Sequence, residues 1–200
     1  MTQESLAVKL FHLGAVRFGS FTLKSGLISP IYIDLRLTIS KPELLSRIAH
    51  DLYEKVRTAS FDLLCGVPYT ALPFAAVMSV QHTISLILQR KEKKDYGTKR
   101  MVEGIFQKGD TCLIVEDVVT TGSSILETAG YLREEGLIVN DAVVLVNREQ
   151  GGEKKLLAQN IRLHSVLTLS EIIEELSQKK LIDETMAAAS LEFVQTNQVS

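Results

Sequence analysis

An apolar run that ends in two adjacent acids and a hydroxyl-rich turn constrains the fold of this chain more than any other feature. The segment 111–124 reads Thr-Cys-Leu-Ile-Val-Glu-Asp-Val-Val-Thr-Thr-Gly-Ser-Ser. Cys112 to Val115 have the composition of a central strand of a parallel sheet, which is buried on both faces. Open α/β sheets bind ligands at the carboxyl ends of their strands. We therefore expect the strand to end at Val115 and Glu116 and Asp117 to emerge beside a ligand.

The turn that follows the acids has the composition of an anion site. Residues 120–124 offer backbone N–H groups and hydroxyls, and the spacing of Ile125, Leu126, Ala129 and Leu132 predicts a helix directly after them. Backbone N–H groups at the start of a helix bind phosphate. Taken alone, the turn fits a plain capped connection equally well. The acids favour a ligand, and because neither Gly-x-x-x-x-Gly-Lys-Ser/Thr nor Gly-x-Gly-x-x-Gly occurs, a phosphorylated sugar is the best candidate.

Composition limits the classes of protein to which the chain can belong. Its 200 residues, 46% hydrophobic and 23% charged, suffice for one sizeable globular domain. The net charge of −2 argues against a general nucleic-acid binder. We expect no membrane span and no secretion signal, and hence a cytoplasmic protein. Cys65 and Cys112 lie in apolar runs without ligand-like spacing, so we expect buried thiols rather than a metal site or a disulfide.

Strand-like and helix-like segments alternate from about residue 40, which predicts βα units around a mostly parallel sheet. The patterns Ser40-Lys41-Pro42-Glu43 and Thr168-Leu169-Ser170-Glu171 predict helix starts of the capping-box type. The predicted strands of this region are 61–67, 85–89, 111–115, 142–147 and 161–167. The predicted helices begin near residues 42, 71, 125 and 169, and a last one follows Asp183.

The first forty residues break this alternation. They predict a helix over about 4–13 and two antiparallel strands, 18–23 and 28–35, around Ser25-Gly26. We expect residues 1–40 to form a small N-terminal hood over the core of a single domain that spans residues 1–200.

A basic segment connects two of the predicted strands. Residues 90–100 hold six basic residues and two acids. Such a run is usually a solvated surface loop. Beside a sugar-phosphate site it has a second interpretation, a lid that closes over a leaving anion, excludes water and stabilises the developing charge.

Three more turns carry groups suited to anions. Gly66-Val67-Pro68-Tyr69 follows a predicted strand and is either a second anion site or a plain turn. Lys24 stands beside a glycine turn and Arg148 stands just past a strand. Each cation alone fits ordinary surface, but together they could bracket a small planar acid, since arginine binds carboxylates with two parallel hydrogen bonds.

With these residues the chain resembles the orotate phosphoribosyltransferases of the type I phosphoribosyltransferase fold. The resemblance covers essentially the whole chain. The sequence of the basic loop over residues 94–100 is similar to the loop in the transferase half of bifunctional UMP synthases. We expect no decarboxylase half in this chain. Whether the chain stands alone or was cut from a longer enzyme stays open. The segments that carry the resemblance are 21–26, 66–69, 90–95, 116–124 and 147–152.

The resemblance implies a fold, a reaction and an assembly. The fold is α/β, with a mostly parallel central sheet flanked by helices. The reaction joins orotate to 5-phosphoribosyl 1-diphosphate (PRPP) in the presence of Mg²⁺ and yields orotidine 5′-phosphate and diphosphate in de novo pyrimidine synthesis. The assembly is a homodimer in which the basic loop is shared between subunits, with neither nucleic acid nor membrane as a partner. Mg²⁺ is expected to bind mainly through PRPP, and no protein ligand is assigned to it.

The same resemblance assigns roles to residues. The implied catalytic residues are Lys91, Lys94, Glu116 and Asp117. PRPP is expected to contact Tyr69, Arg90, Lys91, Lys94, Glu116, Asp117, Val118, Val119, Thr120, Thr121, Gly122, Ser123 and Ser124. Orotate is expected to contact Lys24, Ser25, Tyr32, Ile33, Thr120 and Arg148.

The chain departs from the pattern of bacterial relatives at two positions, and two other functions stay open. Tyr96 stands where those relatives often carry histidine, and Thr70 stands where they often carry lysine. A phosphoribosyltransferase for a purine or another base would keep the acids and the turn but have little need of Lys24 and Arg148. A regulator that binds PRPP on the same fold and contacts nucleic acid is disfavoured by the low net charge.

Overall fold

A computed structural model describes residues 4–22, 28–91 and 101–198 of the chain. These residues form a two-stranded sheet and a six-stranded sheet. The strands are β1 (Val16–Thr22), β2 (Ile28–Ile33), β3 (Leu63–Gly66), β4 (Ser85–Gln89), β5 (Val102–Glu103), β6 (Cys112–Val119), β7 (Asp141–Asn147) and β8 (Arg162–Thr168). The α-helices are α1 (Leu6–His12), α2 (Pro42–Val56), α3 (Ala71–His82), α4 (Ser123–Glu134), α5 (Gly152–Ala158), α6 (Leu169–Gln178) and α7 (Glu184–Thr196).

The six-stranded sheet has the order β5-β4-β3-β6-β7-β8. Strands β4, β3, β6, β7 and β8 are parallel, and only β5 runs antiparallel to its neighbour β4. The predicted α/β fold with a mostly parallel sheet is confirmed. Because the parallel strands point the same way, the loops that follow β3, β4, β6 and β7 all lie at one edge of the sheet.

Each face of this sheet is covered by its own hydrophobic cluster. Leu113 and Val115 of β6 face a cluster that includes residues of α1, α2, α3 and α6, and Cys112 and Ile114 face one that includes residues of α4 and α5. The sequence of helix α2 explains why this helix packs on the sheet, because its apolar residues fall on one helical face. The buried residues of that face are Leu44, Ile48, Ala49, Leu52 and Val56. None of the helices in the described ranges is long and apolar enough to cross a bilayer.

Both cysteines are buried among apolar side chains as free thiols. Burial raises the pKa of Cys65 to about 12 and that of Cys112 well above its ordinary value. Neither thiol is therefore a ready nucleophile at neutral pH.

The N-terminal segment forms its own small sheet but shares its core with the rest of the chain. Strands β1 and β2 pair antiparallel, as the sequence predicts. Val16, Ile31 and Leu35 belong to the same hydrophobic cluster as the helices on that face of the large sheet. That residues 1–40 act as a hood over the active site stays a prediction.

Three local predictions are wrong or incomplete. Strand β6 continues to Val119, so the two acids lie inside the strand and not beyond it. Helix α2 has no capping box, because Ser40 ends a 3₁₀ turn (Leu35–Ser40) and α2 begins at Pro42, whose missing N–H needs no partner there. Helix α5 and strand β5 were not predicted. The second capping box is confirmed, with Thr168 and Glu171 bonded to each other's backbone.

Candidate active site

The carboxyl edge of the large sheet gathers most of the described residues that the sequence analysis assigned to the site. Four adjacent strands, β4, β3, β6 and β7, span about 14 Å at the usual strand spacing. The loops beyond them are joined by backbone hydrogen bonds from the amide of Val67 to the carbonyl of Val115 and from the amide of Arg148 to the carbonyl of Val119, both at 2.9 Å. The edge is therefore one continuous surface, long enough for an extended substrate.

The two acids differ in exposure although they are adjacent. Glu116 is only 4% exposed, and its carboxyl oxygens accept hydrogen bonds from the Asp117 amide at 2.9 Å and from Ser124 Oγ at 2.7 Å. Burial, and next the neighbouring Asp117, raise the pKa of Glu116 to about 8. Asp117 is partly exposed; its carboxylate accepts a bond from the Val118 amide at 2.8 Å and also interacts with the Glu116 carboxyl. Of the two acids, Asp117 is therefore the one whose carboxylate a ligand can reach. Glu116 is buried and is bonded to Ser124 of the following turn.

The turn over residues 120–124 has the geometry of an anion site. Gly122 has φ +76° and directly precedes α4. Thr121 Oγ1 accepts a hydrogen bond from the Ser123 amide at 3.3 Å and lies 2.8 Å from Ser123 Oγ. Hydroxyls and amides thus meet at the start of a twelve-residue helix, where the peptide dipoles favour an anion.

Two residues assigned to the PRPP site, Val118 and Val119, pack into the hydrophobic clusters at the end of β6. Val118 packs against the cluster on one face of the sheet, and Val119 is buried in the cluster on the other. The Val118 amide donates to Asp117 at 2.8 Å and the Val119 carbonyl accepts from the Arg148 amide at 2.9 Å, so both residues hold the end of the strand in place.

The loops after β3 and β4 present an aromatic ring and two cations. Tyr69 is 64% exposed and follows a cis peptide bond from Pro68. Lys91 Nζ lies 4.9 Å from the centroid of the Tyr69 ring, within the range of a cation–π contact. Arg90 forms an ion pair with Glu103 of β5, so part of its charge is already engaged. Lys94 lies outside the described residues.

Arg148 follows β7 and stands at the other end of the edge. Its Nε donates a hydrogen bond to Gln150 Oε1 at 3.0 Å, and burial lowers the pKa of the guanidinium. Tyr32 and Ile33 end strand β2, and Arg17 lies over the Tyr32 ring at 4.9 Å. Lys24 and Ser25, the other residues assigned to orotate, lie outside the described residues.

An ion pair in the N-terminal segment was missed by the sequence analysis. Arg36 Nε and Nη2 donate to the two carboxylate oxygens of Asp34 at 2.7 and 2.8 Å. Asp34 foremost, and more weakly Tyr32 and Asp117, raise the pKa of Arg36. The sequence shows an acid and an arginine two positions apart, which could have indicated the ion pair. This spacing does not indicate where the N-terminal segment packs on the rest of the chain.

The donor set suits a metal that arrives with its substrate. In the ranges 4–22, 28–91 and 101–198, no group of three or more His, Cys, Asp or Glu side chains could hold a metal ion. Mg²⁺ in phosphate-transfer sites commonly keeps its waters and binds one or two carboxylates together with substrate phosphates. The accessible carboxylate of Asp117 fits that kind of binding.

Comparison with known proteins defines the class. Residues 38–174 match the family described as "Phosphoribosyl transferase domain". Uridine 5′-monophosphate synthase of Bos taurus is 53% identical over 195 residues, which are 96% of this chain and 41% of that protein. Orotate phosphoribosyltransferase of Chlamydia caviae is 41% identical over 97% of this chain and 95% of that protein. The solved UMP synthase of Leishmania donovani superposes with a TM-score of 0.87 at 35% identity, over 96% of this chain and 42% of that chain.

Together with these matches, the parallel sheet and the segment 116–124 at its carboxyl edge define the chain as a phosphoribosyltransferase. The chain belongs to this family and, within it, to the orotate phosphoribosyltransferases. It spans about two fifths of the length of the UMP synthases it matches. The resemblance drawn from the motifs is confirmed.

Proposed function

We propose that this chain transfers the 5-phosphoribosyl group of PRPP to orotate, giving orotidine 5′-phosphate and diphosphate in pyrimidine synthesis. The observation that carries the proposal is the accessible carboxylate of Asp117 directly before a phosphate-type turn at the carboxyl edge of the sheet.

The acid and the turn suit the sugar end of PRPP. Thr120 to Ser124 would bind the 5′-phosphate through their amides and hydroxyls, and Asp117 would hold the ribose hydroxyls. Displacement at the anomeric carbon gives the sugar positive character, so a carboxylate held nearby stabilises the transition state more than the ground state. Glu116, bonded to Ser124, would keep this turn in place.

The cations on the neighbouring loops suit the diphosphate. Tyr69, Arg90, Lys91 and Lys94 would surround the leaving group, with Lys91 placed by its contact with the Tyr69 ring. Mg²⁺ carried on the diphosphate oxygens would neutralise the charge that develops as the C–O bond breaks. The basic loop would complete the site of the other subunit in a homodimer.

Arg148 and the N-terminal segment suit the base. Arg148 and Lys24 would bind the orotate carboxylate and carbonyl oxygens, and Ser25, Tyr32, Ile33 and Thr120 would line the pyrimidine. Residues 1–40 would act as a hood that covers the reaction centre and excludes water. We propose a cytoplasmic enzyme, as expected for this pathway.

The decisive experiment is orotate-dependent consumption of PRPP in the presence of Mg²⁺. We expect turnover with orotate and little with uracil, which lacks the carboxylate, or with purine bases. Lys94→Ala should lose about 10²-fold or more in kcat while keeping the fold, because a cation at the leaving group acts mainly in the transition state. Transfer to a purine with none to orotate would overturn the substrate assignment, and PRPP binding without any transfer would favour a regulator.

A further inference from the structure

The guanidinium of Arg148 is held through only one of its nitrogens. Its Nε donates to Gln150 Oε1 at 3.0 Å. Within the described part of the chain, no carboxylate pairs with this half-buried charge and no oxygen bonds to its two Nη groups. A bond through Nε leaves free the two Nη groups, which suit a planar carboxylate.

Gln150 is itself fixed at both ends of its amide. The residue is 5% exposed, and its Nε2 donates to the carbonyl oxygen of Asn197 at 2.9 Å. Asn197 directly follows α7 and is its C-cap residue. A buried amide with a donor bond on one side and an acceptor bond on the other has a single favourable orientation, because the flipped amide would oppose like groups.

We propose that Gln150 is a positioning residue for the base: it orients Arg148 so that the free Nη groups meet the carboxylate of orotate. The inference rests on the proposed function, in which Arg148 binds orotate. Gln150 acts through Arg148 and does not touch the substrate. The end of α7 thereby becomes part of the support of the base site, although it is distant in sequence from every motif residue.

The main variant is Gln150→Met, which keeps the length of the side chain and removes both hydrogen-bonding groups. We expect the KM for orotate to rise about tenfold, since a hydrogen bond to a charged group is worth roughly that ratio. The KM for PRPP and the kcat should stay within about twofold, because the support concerns binding of the base alone. An unchanged KM for orotate in a folded Gln150→Met protein would overturn the proposal.

Gln198→Ala is the matched control for loss of a hydrogen-bonded link between the loop after β7 and helix α7. Gln198 Nε2 donates to the carbonyl oxygens of Glu149 and Val194, both at 2.8 Å, so it also joins this loop to α7, but neither of these bonds involves Arg148. We expect this variant to keep the KM of the unaltered protein for both substrates. A rise in the KM for orotate equal to that of Gln150→Met would assign the effect to tethering of the loop and overturn the proposal.

A double-mutant cycle with Arg148→Ala tests whether Gln150 acts through that arginine. If it does, Gln150→Met should add no further rise in the KM for orotate once Arg148 is removed. Additive effects would overturn the inference and leave the proposed function standing. An unaltered protein that does not use orotate would overturn both. If Gln150→Met does not melt cooperatively, Gln150→Ala replaces it, and failure of both to fold would show that the residue is purely structural.

Discussion

At the scale of single residues, the adjacent acids Glu116 and Asp117 have different environments. Val118 lies on the same face of β6 as Leu113 and Val115, and Val119 on the same face as Cys112 and Ile114, so the alternation of side chains is interrupted at the two acids. The Glu116 carboxyl is buried under the turn, with a pKa raised to about 8, whereas Asp117 is open. The raised pKa favours the neutral form of the Glu116 carboxyl, which is bonded to the turn through Ser124.

This difference predicts unequal effects of replacing each acid by its amide. Asp117→Asn removes a charge that faces the sugar and should lower kcat/KM for PRPP by about 10²–10³-fold. Glu116→Gln replaces one neutral group by another that can still bond Ser124 and the Asp117 amide, so we expect a loss of about tenfold or less. Steady-state kinetics of the two variants test this. Equal losses would mean that Glu116 works as a charged group.

The pKa of Glu116 also predicts how stability depends on pH. The unfolded chain releases this proton near the ordinary value of 4.5, whereas the folded chain holds it to about 8. Between these values the folded state binds more protons, so the contribution of this group to stability falls as pH rises from 4.5 towards 8.

Glu116→Gln should remove that part of the pH dependence. Urea unfolding at pH 5.5 and pH 8 would show the unaltered protein losing more stability across this interval than the variant does. Parallel curves for the two proteins would contradict the assigned pKa.

At the scale of elements, the phosphate turn is braced by the start of α5. The Gly152 amide donates to the Thr120 carbonyl at 3.0 Å. A Cβ added at Gly152 would lie 2.8 Å from that oxygen and 3.0 Å from the Gly122 nitrogen. Both contacts are with backbone and cannot be relieved by rotating a side chain, so the glycine is required where the loop after β7 meets the turn after β6.

Gly152→Ala should therefore displace the turn. We expect a raised KM for PRPP and a loss of about 1–3 kcal/mol in the free energy of unfolding, the usual cost of overpacking. Gly130→Ala in α4 is the matched control, because nothing lies within 4 Å of a Cβ at that position. The control should be stabilised by about 0.5–1 kcal/mol through its higher helix propensity. A Gly152→Ala protein with unaltered affinity for PRPP would show that the turn is not braced in this way.

At the scale of the whole molecule, segments from the N-terminal and C-terminal parts of the described chain pack into one core. The N-terminal segment carries the Asp34–Arg36 ion pair, and Asn197, the residue after α7, bonds Gln150 next to Arg148. Val16 of β1 and Val194 of α7 belong to one hydrophobic cluster with the helices on that face of the sheet. The site therefore depends on the docking of segments that are far apart in sequence.

The proposed dimer with a shared basic loop predicts complementation between inactive subunits. Lys94→Ala and Asp117→Asn proteins, each inactive alone, should recover about a quarter of the activity when unfolded together in equal amounts and refolded. Half of the dimers would then be mixed, and each mixed dimer would hold one site free of both changes. Refolding each variant separately is the control. No recovery in mixtures shown to contain mixed dimers would mean that Lys94 serves its own subunit.

Local patterns predicted much of this fold because they record local physics. Thr168 and Glu171 mark a helix start through bonds within one turn, and the apolar repeat in α2 marks a face that must be buried. The predicted end of β6 at Val115 was wrong because the polar residues Glu116 and Asp117 were expected to lie beyond the strand, whereas β6 continues to Val119. Glu116 stays in the strand because the serine hydroxyl and an amide satisfy its carboxyl there.

The amino-acid sequence by itself determined the α/β architecture, the family and the chemical types of the groups at the site, since these follow from periodicity, turn composition and motif spacing. Only the tertiary structure decided which acid is open, why Gly152 must lack a side chain and which residue supports Arg148. The reason is physical: burial and contacts between distant segments set pKa values, steric limits and side-chain orientation, and these contacts exist only once the chain has folded.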